Sequence, residues 1–168
     1  MRKLLIIDDL EQSFQTEAEK LGYQVNYQPK ITKADALAIL HEYDGVAVRS
    51  KFNFDKEVID KGPNLKFIAR AGAGMDNIDE AYAATKNIAL INAPEGNRDA
   101  VGEHAMGMLL NLMNNLRQAD IQVRNGVWDR EGNRGYELMG KTVAIIGYGN
   151  NGGAFARRLK GFGVDVIA

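Results

Sequence analysis

Three glycines at fixed spacing are the residues best suited to binding a phosphate. The stretch 147–152 has the sequence Gly-Tyr-Gly-Asn-Asn-Gly, follows the apolar run Val143–Ile146 and precedes a helical pattern. A G-x-G-x-x-G sequence between a strand and a helix aims backbone N–H groups and the positive helix end at a dinucleotide pyrophosphate. Gly147 would permit the tight turn, Gly149 the close approach of phosphate, and Gly152 the close packing of helix on strand. An ordinary glycine-rich turn is the alternative interpretation.

The cofactor that this motif predicts is NAD, and NADP stays open. The acidic residue that holds the ribose is expected about 20 residues after the motif. The sequence ends at Ala168, so the chain does not decide between the two.

Polar and glycine-rich segments follow four of the predicted strands. They are Asp8-Asp9, Arg49-Ser50, 70–74 and 92–97. Ligands of parallel α/β sheets collect outside the carboxyl ends of the strands. These segments are therefore predicted to border a binding cleft.

Short β-type runs alternate with helical patterns over the first 96 residues. Plausible helix caps are Thr32 and Asp79. The predicted strands are 4–7, 23–27, 46–48, 67–69 and 88–91, and the predicted helices are 11–21, 33–43, 55–61 and 80–86. This alternation predicts an α/β fold, with a flavodoxin-like, mostly parallel sheet covered on both faces.

The pattern changes after residue 97. Residues 101–116 are apolar around much of a helix, which predicts a long helix buried on more than one side. A polar, glycine-rich stretch follows at 124–140. The strand 142–146, the helix 151–162 and the strand 164–168 then predict the first βαβ unit of a Rossmann-type domain. We expect domains at 1–96 and 97–168.

Composition excludes several classes of protein and site. The 168 residues contain no cysteine, and 21 basic residues against 22 acidic ones give a net charge of -1. Disulfides, thiolate metal sites and cysteine nucleophiles are excluded, and an intracellular origin is favoured. No apolar run approaches the roughly 18 residues of a membrane span. A cytoplasmic protein without metal, nucleic-acid or membrane partners is the expectation.

The run 4–9 ends in two acids and precedes a helix, which is also typical of a receiver domain of the response-regulator type. A receiver needs an aspartate after the third strand, and Arg49-Ser50 stands there instead. Asp8 and Asp9 are then interpreted as a capping and solvent-facing pair.

Six further motifs follow one another in a fixed order: 48–50 (VRS), 70–79 (RAGAGMDNID), 92–97 (NAPEGN), 101–104 (VGEH), 126–130 (GVWDR) and 138–142 (LMGKT), the last of which leads into the glycine loop. Together they resemble the D-isomer-specific 2-hydroxyacid dehydrogenases. The resemblance covers essentially the whole chain, which corresponds to about the first half of a typical member. The resemblance implies NAD-dependent hydride transfer that converts a 2-hydroxy acid to a 2-oxo acid. It makes 1–96 the substrate domain, without the C-terminal segment that returns to complete this domain in the family. It makes 97–168 a linker helix with a truncated NAD-binding domain.

Site residues follow from the resemblance, position by position. The substrate-binding residues it implies are Arg49, Ser50, Arg70, Gly72, Ala73 and Gly74. The cofactor-binding residues it implies are Ala73, Asn97, Glu103, Gly147, Tyr148, Gly149, Asn150, Asn151 and Gly152. Glycines on both sides of Ala73 free the backbone to form an anion-binding concavity, which agrees with the first set.

No catalytic residue is assigned, because the family's histidine, its partner carboxylate and its arginine lie in the C-terminal half. We therefore expect this chain to be inactive by itself. His41 and His104 are interpreted as structural. Two departures from the family are Asn151, where an aliphatic residue is usual, and Gly102, where alanine is usual. Gly102 predicts a hinge at a helix start.

Alternatives remain open for substrate, function and assembly. A guanidinium at Arg49 suits a phosphorylated 2-hydroxy acid. The alternative is an enzyme that interconverts D-lactate or glycerate with its 2-oxo acid, or that reduces hydroxypyruvate. A non-catalytic cofactor-sensing or dimerisation module on the same scaffold is the second reading. A homodimer is expected through the helix 101–116 and the segment 124–140.

Overall fold

The structure is a computed structural model that describes residues 1–168. The chain divides into two compact units, Met1–Pro94 and Glu95–Ala168. None of its helices combines the length and the apolar character needed to cross a membrane.

The first unit contains a five-stranded sheet in which every neighbouring pair is parallel. The strands are β1 (Arg2–Ile6), β2 (Tyr23–Tyr27), β3 (Gly45–Val48), β4 (Phe67–Arg70) and β5 (Ala89–Asn92), and the helices are α1 (Gln12–Lys20), α2 (Lys33–Ile39), α3 (Lys56–Asp60) and α4 (Glu80–Thr85). A short 3-10 turn, Leu40–Glu42, precedes β3. The order β2-β1-β3-β4-β5 is that of flavodoxin-like sheets, so the fold prediction for this part is confirmed.

Alternation along the strands explains why helices cover both faces. Leu5, Val46 and Ile68 are fully buried in one core, which includes residues of α2, α3 and α4. Leu4 and Ile6 point to the opposite face and pack with Ala18 of α1 and others. Successive side chains of a strand point to opposite faces, and burial of each large aliphatic side chain contributes about 1.5–3 kcal/mol.

Both predicted helix caps are present. The Thr32 hydroxyl accepts from the Asp35 N–H at 3.1 Å, and the Asp79 carboxylate accepts from the Tyr82 N–H at 2.9 Å. Each side chain satisfies one of the N–H groups that a helix leaves unpaired at its start.

The second unit contains three helices and a two-stranded parallel sheet. Its helices are α5 (Glu95–Met113), α6 (Leu116–Arg124) and α7 (Asn150–Leu159), followed by a 3-10 turn (Lys160–Phe162), and its strands are β6 (Thr142–Ala144) and β7 (Asp165–Ile167). β6, α7 and β7 form the predicted βαβ unit. Its core includes Met106 of α5, Ile145 after β6, and Ala156 and Leu159 of α7.

The long helix differs from its prediction at both ends. It begins at Glu95 rather than at 101. Pro94 comes directly before, and proline favours a helix start because it lacks the N–H group that other residues would leave unpaired there. It ends at Met113, and Asn115 adopts a left-handed conformation (φ 53°) that separates α5 from α6. Asparagine tolerates this conformation better than most residues. The segment predicted as loop from 124 therefore begins as the end of α6.

Burial of the long helix on more than one side was also a wrong prediction for this chain. Met108 is 57% exposed and Leu112 is 75% exposed, although Met106 is buried. Gly102 is buried in mid-helix, where a Cβ would lie 3.0 Å from the backbone carbon of Ala154. It marks a close approach of α5 and α7, not a helix start.

Candidate functional sites

In the first unit, the loops after β1, β3, β4 and β5 lie at one edge of the sheet because these strands are parallel. Arg49-Ser50 follows β3 and the segment 70–74 follows its neighbour β4. Val48 pairs with Arg70 in the register of these strands, and the Ala71 N–H donates to the Val48 carbonyl at 2.8 Å. The structure therefore brings together the two segments that the sequence assigned to substrate.

The backbone of the segment 70–74 is partly engaged and partly free. The Gly72 N–H donates to the Arg70 carbonyl, and the Gly72 carbonyl accepts from the Ala93 N–H. The Asn92 amide holds the loop from β5 by donating to the Ala73 carbonyl at 2.7 Å. The N–H groups of Ala73 and Gly74 donate to no protein acceptor. Two consecutive free N–H groups can bind a carboxylate.

Arg70 lies directly over Gly72. A Cβ at Gly72 would overlap the Arg70 guanidinium, so a side chain at position 72 would displace the guanidinium from this place. The Nε atom of Arg70 is buried without a partner, and neither Arg70 nor the exposed Arg49 forms an ion pair. A buried donor without an acceptor costs about 1–3 kcal/mol, and an anion bound beside the loop could supply the acceptor.

Two anchoring side chains were not identified from the sequence. The Asp8 carboxylate accepts from the N–H groups of Arg49, Ser50 and Lys51 through one oxygen, at 2.6, 3.0 and 3.1 Å. The Asn92 amide is the second. The sequence placed both residues at the ends of predicted strands, but their hydrogen-bond partners follow only from the order of the strands in the sheet.

In the second unit, the glycine loop leads into the start of α7. Gly147 has a φ of +91°, which favours glycine, and a Cβ at Gly152 would overlap the Gly147 carbonyl oxygen. Gly149 is the N-cap of α7, and nothing lies within 4 Å of the position its Cβ would occupy. No side chain caps this helix and its first turn holds no acidic residue. These features fit the pyrophosphate of a dinucleotide.

The remaining residues of the predicted cofactor set are exposed. Tyr148, Asn150 and Asn151 border the loop, so the Asn151 amide is not forced into a packed position. Asn97 lies in the first turns of α5, and the Glu103 carboxylate binds Arg158 of α7 at 3.0 Å.

Arg158 also contacts Asp99 of α5 at 3.3 Å. The hydrogen bond from Arg158 lowers the pKa of Asp99 below its usual value, and the Glu103 carboxylate together with Asp99 raises the pKa of Arg158. This cluster ties α5 to α7.

Neither histidine lies on the loops described above. His41 is exposed in the 3-10 turn that precedes β3, at the opposite edge of the sheet from Arg49. His104 is exposed on α5. No group of three or more carboxylate or imidazole side chains is arranged to hold a metal ion.

Comparisons with known proteins agree with this architecture. A sequence model described as D-isomer specific 2-hydroxyacid dehydrogenase, catalytic domain, matches residues 4–159. A D-3-phosphoglycerate dehydrogenase of Methanocaldococcus jannaschii is 37% identical over 167 residues, 99% of this chain. A hydroxypyruvate reductase of Thermotoga maritima is 38% identical over 138 residues, 82% of this chain.

Among solved structures, an NAD-dependent formate dehydrogenase of Staphylococcus aureus in complex with NAD superposes with a TM-score of 0.74 and 27% identity, covering 99% of this chain and 55% of that one. The chain spans 32% of the length of the M. jannaschii relative and 45% of the T. maritima relative.

Proposed function

Because the chain belongs to the D-isomer-specific 2-hydroxyacid dehydrogenase family, we propose that it supplies the substrate-anion loop and the cofactor-phosphate loop of an NAD-dependent oxidoreductase. In this proposal residues 1–96 form the substrate domain and residues 97–168 begin the cofactor domain. The whole enzyme would oxidise the C2 hydroxyl of a 2-hydroxy acid by hydride transfer.

The substrate carboxylate would be bound by the N–H groups of Ala73 and Gly74 and by Arg70. The support is that both N–H groups and the buried Arg70 Nε have no protein acceptor. Gly72 contributes space for the Arg70 guanidinium. Charge-assisted hydrogen bonds of this kind are about twice as strong as neutral ones.

The favoured substrate is 3-phosphoglycerate, which would place the reaction in serine biosynthesis. Arg49 follows β3 beside the carboxylate loop and has no ion-pair partner, so it is suited to the substrate phosphate, with Ser50 as a second donor. Similarity to a D-3-phosphoglycerate dehydrogenase over 99% of the chain also supports this choice. Substrates of the lactate, glycerate or hydroxypyruvate type are the alternatives.

The cofactor site consists of Gly147, Gly149 and Gly152 with the uncapped start of α7. Bound NAD would supply the hydride acceptor, and these residues would hold and orient its pyrophosphate. Tyr148, Asn150 and Asn151 border the same loop. Asn97, Glu103 and Ala73 are added from the family resemblance, and NADP remains the alternative to NAD.

The observation that carries the proposal is the pair of free N–H groups beside an unpaired Arg70. The test is an NMR titration of the chain with 3-phosphoglycerate, D-lactate, D-glycerate and hydroxypyruvate. We expect saturable shifts of the Ala73 and Gly74 amides with all four, and the tightest binding for 3-phosphoglycerate. Absence of saturable shifts with every ligand would reject the substrate site.

A non-catalytic cofactor-binding or dimerisation module is the second candidate. The groove between α5 and α6, with Met108, Leu112 and Ile121 in its lining, favours an assembly role. NAD binding together with a failure of all four hydroxy acids to bind would favour this candidate. For the enzyme we further propose a homodimer in the cytoplasm.

A further inference from the structure

The gap between β1 and β3 is the topological switch point of the sheet, where the connections from β1 and β3 run to opposite sides. Ligands of such folds usually bind in the crevice beyond this gap. Here a side chain of the protein spans it. Pairing of β1 with β3 continues to the Ile7 N–H, which donates to the Ala47 carbonyl at 3.1 Å, and the next residue is Asp8.

Three consecutive N–H groups converge on one oxygen of Asp8. Those of Arg49, Ser50 and Lys51 lie 2.6, 3.0 and 3.1 Å from Oδ2. Successive N–H groups that point to one centre form a nest that binds anions. The nest after β3 is therefore filled by a carboxylate of the protein.

The loop that Asp8 holds carries the side chains proposed to bind the substrate phosphate. Arg49 and Ser50 are exposed, so little packing fixes their backbone. The Lys51 ammonium donates to the Pro29 carbonyl and fixes the far end of the same loop. Asp8 thus holds the backbone of all three residues, and the side chain of Lys51 fixes the third residue a second time.

We propose that Asp8 is a positioning residue, a built-in anion that fills the nest after β3 and holds Arg49 and Ser50 in place for an anionic substrate. The identity of the substrate in this inference rests on the proposed function, whereas the filling of the nest by Asp8 does not. Because Asp8 occupies the N–H groups, the loop recognises its ligand through side chains. The backbone contacts to the substrate are left to the Ala73 and Gly74 loop on the neighbouring strand.

Asp8→Ala tests the proposal, with Asp44→Ala as the matched control. Asp44 is also half-buried and accepts a backbone N–H across the same two chain segments, from Lys3 at 2.8 Å, but it precedes β3 at the opposite edge. Two quantities are measured on the whole chain by NMR. They are the hydrogen-exchange rates of the amides of residues 49–51 and the affinity for 3-phosphoglycerate.

We expect Asp8→Ala to raise the three exchange rates at least about tenfold, since each amide loses a charge-assisted acceptor. Affinity for 3-phosphoglycerate should fall roughly tenfold to a hundredfold because Arg49 is displaced. Added formate should occupy the vacated nest, slow the exchange and restore part of the affinity in this variant, but not in the wild type. Asp8→Asn should be intermediate, and Asp44→Ala should leave all of these quantities unchanged.

Two results would overturn the proposal: unchanged 3-phosphoglycerate affinity in Asp8→Ala when the wild type binds it, or exchange at residues 49–51 that formate does not slow. If the wild type binds no 2-hydroxy acid, the proposed function fails instead. The formate experiment then still decides whether Asp8 fills an anion nest.

Discussion

At the scale of single residues, the proposed substrate selectivity depends on Arg49. It lies at the carboxyl edge of the sheet, exposed and without an ion pair, where a phosphate could bind it. We predict that Arg49→Gln weakens binding of 3-phosphoglycerate roughly tenfold, the loss of one hydrogen bond between charged groups. Binding of D-glycerate, which has no phosphate, should change little. Calorimetric or NMR titration with both ligands measures the difference.

Lys66→Gln is the matched control for Arg49→Gln, because Lys66 is an exposed cation that precedes β4 at the opposite edge. It should bind both ligands as the wild type does. Equal weakening of both ligands in Arg49→Gln would show that Arg49 does not recognise the phosphate.

The Asp99–Arg158 pair gives the second unit a defined response to acid. Asp99 has a lowered pKa in the folded chain, first because of its hydrogen bond with Arg158, whereas an unfolded aspartate titrates near about 3.9. The stabilisation that the Asp99–Arg158 pair gives the folded unit is therefore fully present above that value. It is lost as the pH falls through the lower pKa that Asp99 has in the folded chain. We predict that Asp99→Asn reduces the acid-induced loss of stability of this unit below about pH 4.

Amide resonances of Met106 and Leu159, followed through thermal unfolding at pH 2 to 6, would measure this effect. Asp165→Asn is the control, because Asp165 forms no ion pair and lies in the same unit. An acid dependence in Asp99→Asn identical to that of the wild type would show that the Asp99–Arg158 pair does not set the response of this unit to acid.

At the scale of elements, the glycine loop requires Gly152 for a steric reason. A Cβ there would overlap the Gly147 carbonyl oxygen and lie 3.2 Å from Ile145 Cγ2. We predict that Gly152→Ala shifts the loop and lowers NAD affinity at least about tenfold, since a phosphate must approach the backbone closely. Fluorescence or NMR titration with NAD gives the affinity.

The adjacent Gly153→Ala is the matched control, since its Cβ would meet only Arg157 Nη1 at 3.7 Å. It should retain NAD affinity and stabilise α7 by up to about 1 kcal/mol, because alanine has the higher helix propensity. Loss of NAD binding in both variants, or in neither, would refute the steric role of Gly152.

Sequence periodicity predicted the strands and helices of the first unit because each strand alternates between two covered faces. The caps Thr32 and Asp79 were predictable because their partners lie three residues away. The contact of Asp8 with residues 49–51 spans more than 40 positions, and it follows only from the pairing of β1 with β3. The prediction that Gly102 lies at a helix start was wrong for a similar reason, because its spatial neighbour Ala154 lies on another helix.

For the molecule as a whole, a groove between α5 and α6 bears on how the chain assembles. A groove of about 460 Å³ is lined there by Met108, Leu112 and Ile121 together with polar side chains. Exposed apolar patches rimmed by polar residues mark association sites. We predict a homodimer, and Leu112→Glu should shift it to monomer in sedimentation velocity experiments.

Leu21→Glu serves as the control for that experiment, because Leu21 is 74% exposed, as Leu112 is 75%, but belongs to the first unit. It should leave the dimer intact. A wild-type chain that is monomeric at high micromolar concentration would count against the interface.

A titration of the chain with NAD, followed at the amides of residues 147–152, measures whether the glycine loop binds the cofactor. We predict weak, saturable shifts centred on Gly149, Asn150 and Asn151, competition by ADP-ribose but not by nicotinamide, and no NADH formation when 3-phosphoglycerate is added. Lack of turnover is expected because neither His41 nor His104 lies on the proposed substrate loops, where a base must accept the hydroxyl proton. Shifts that avoid the glycine loop, or no saturable binding at all, would show that residues 147–152 do not bind the cofactor.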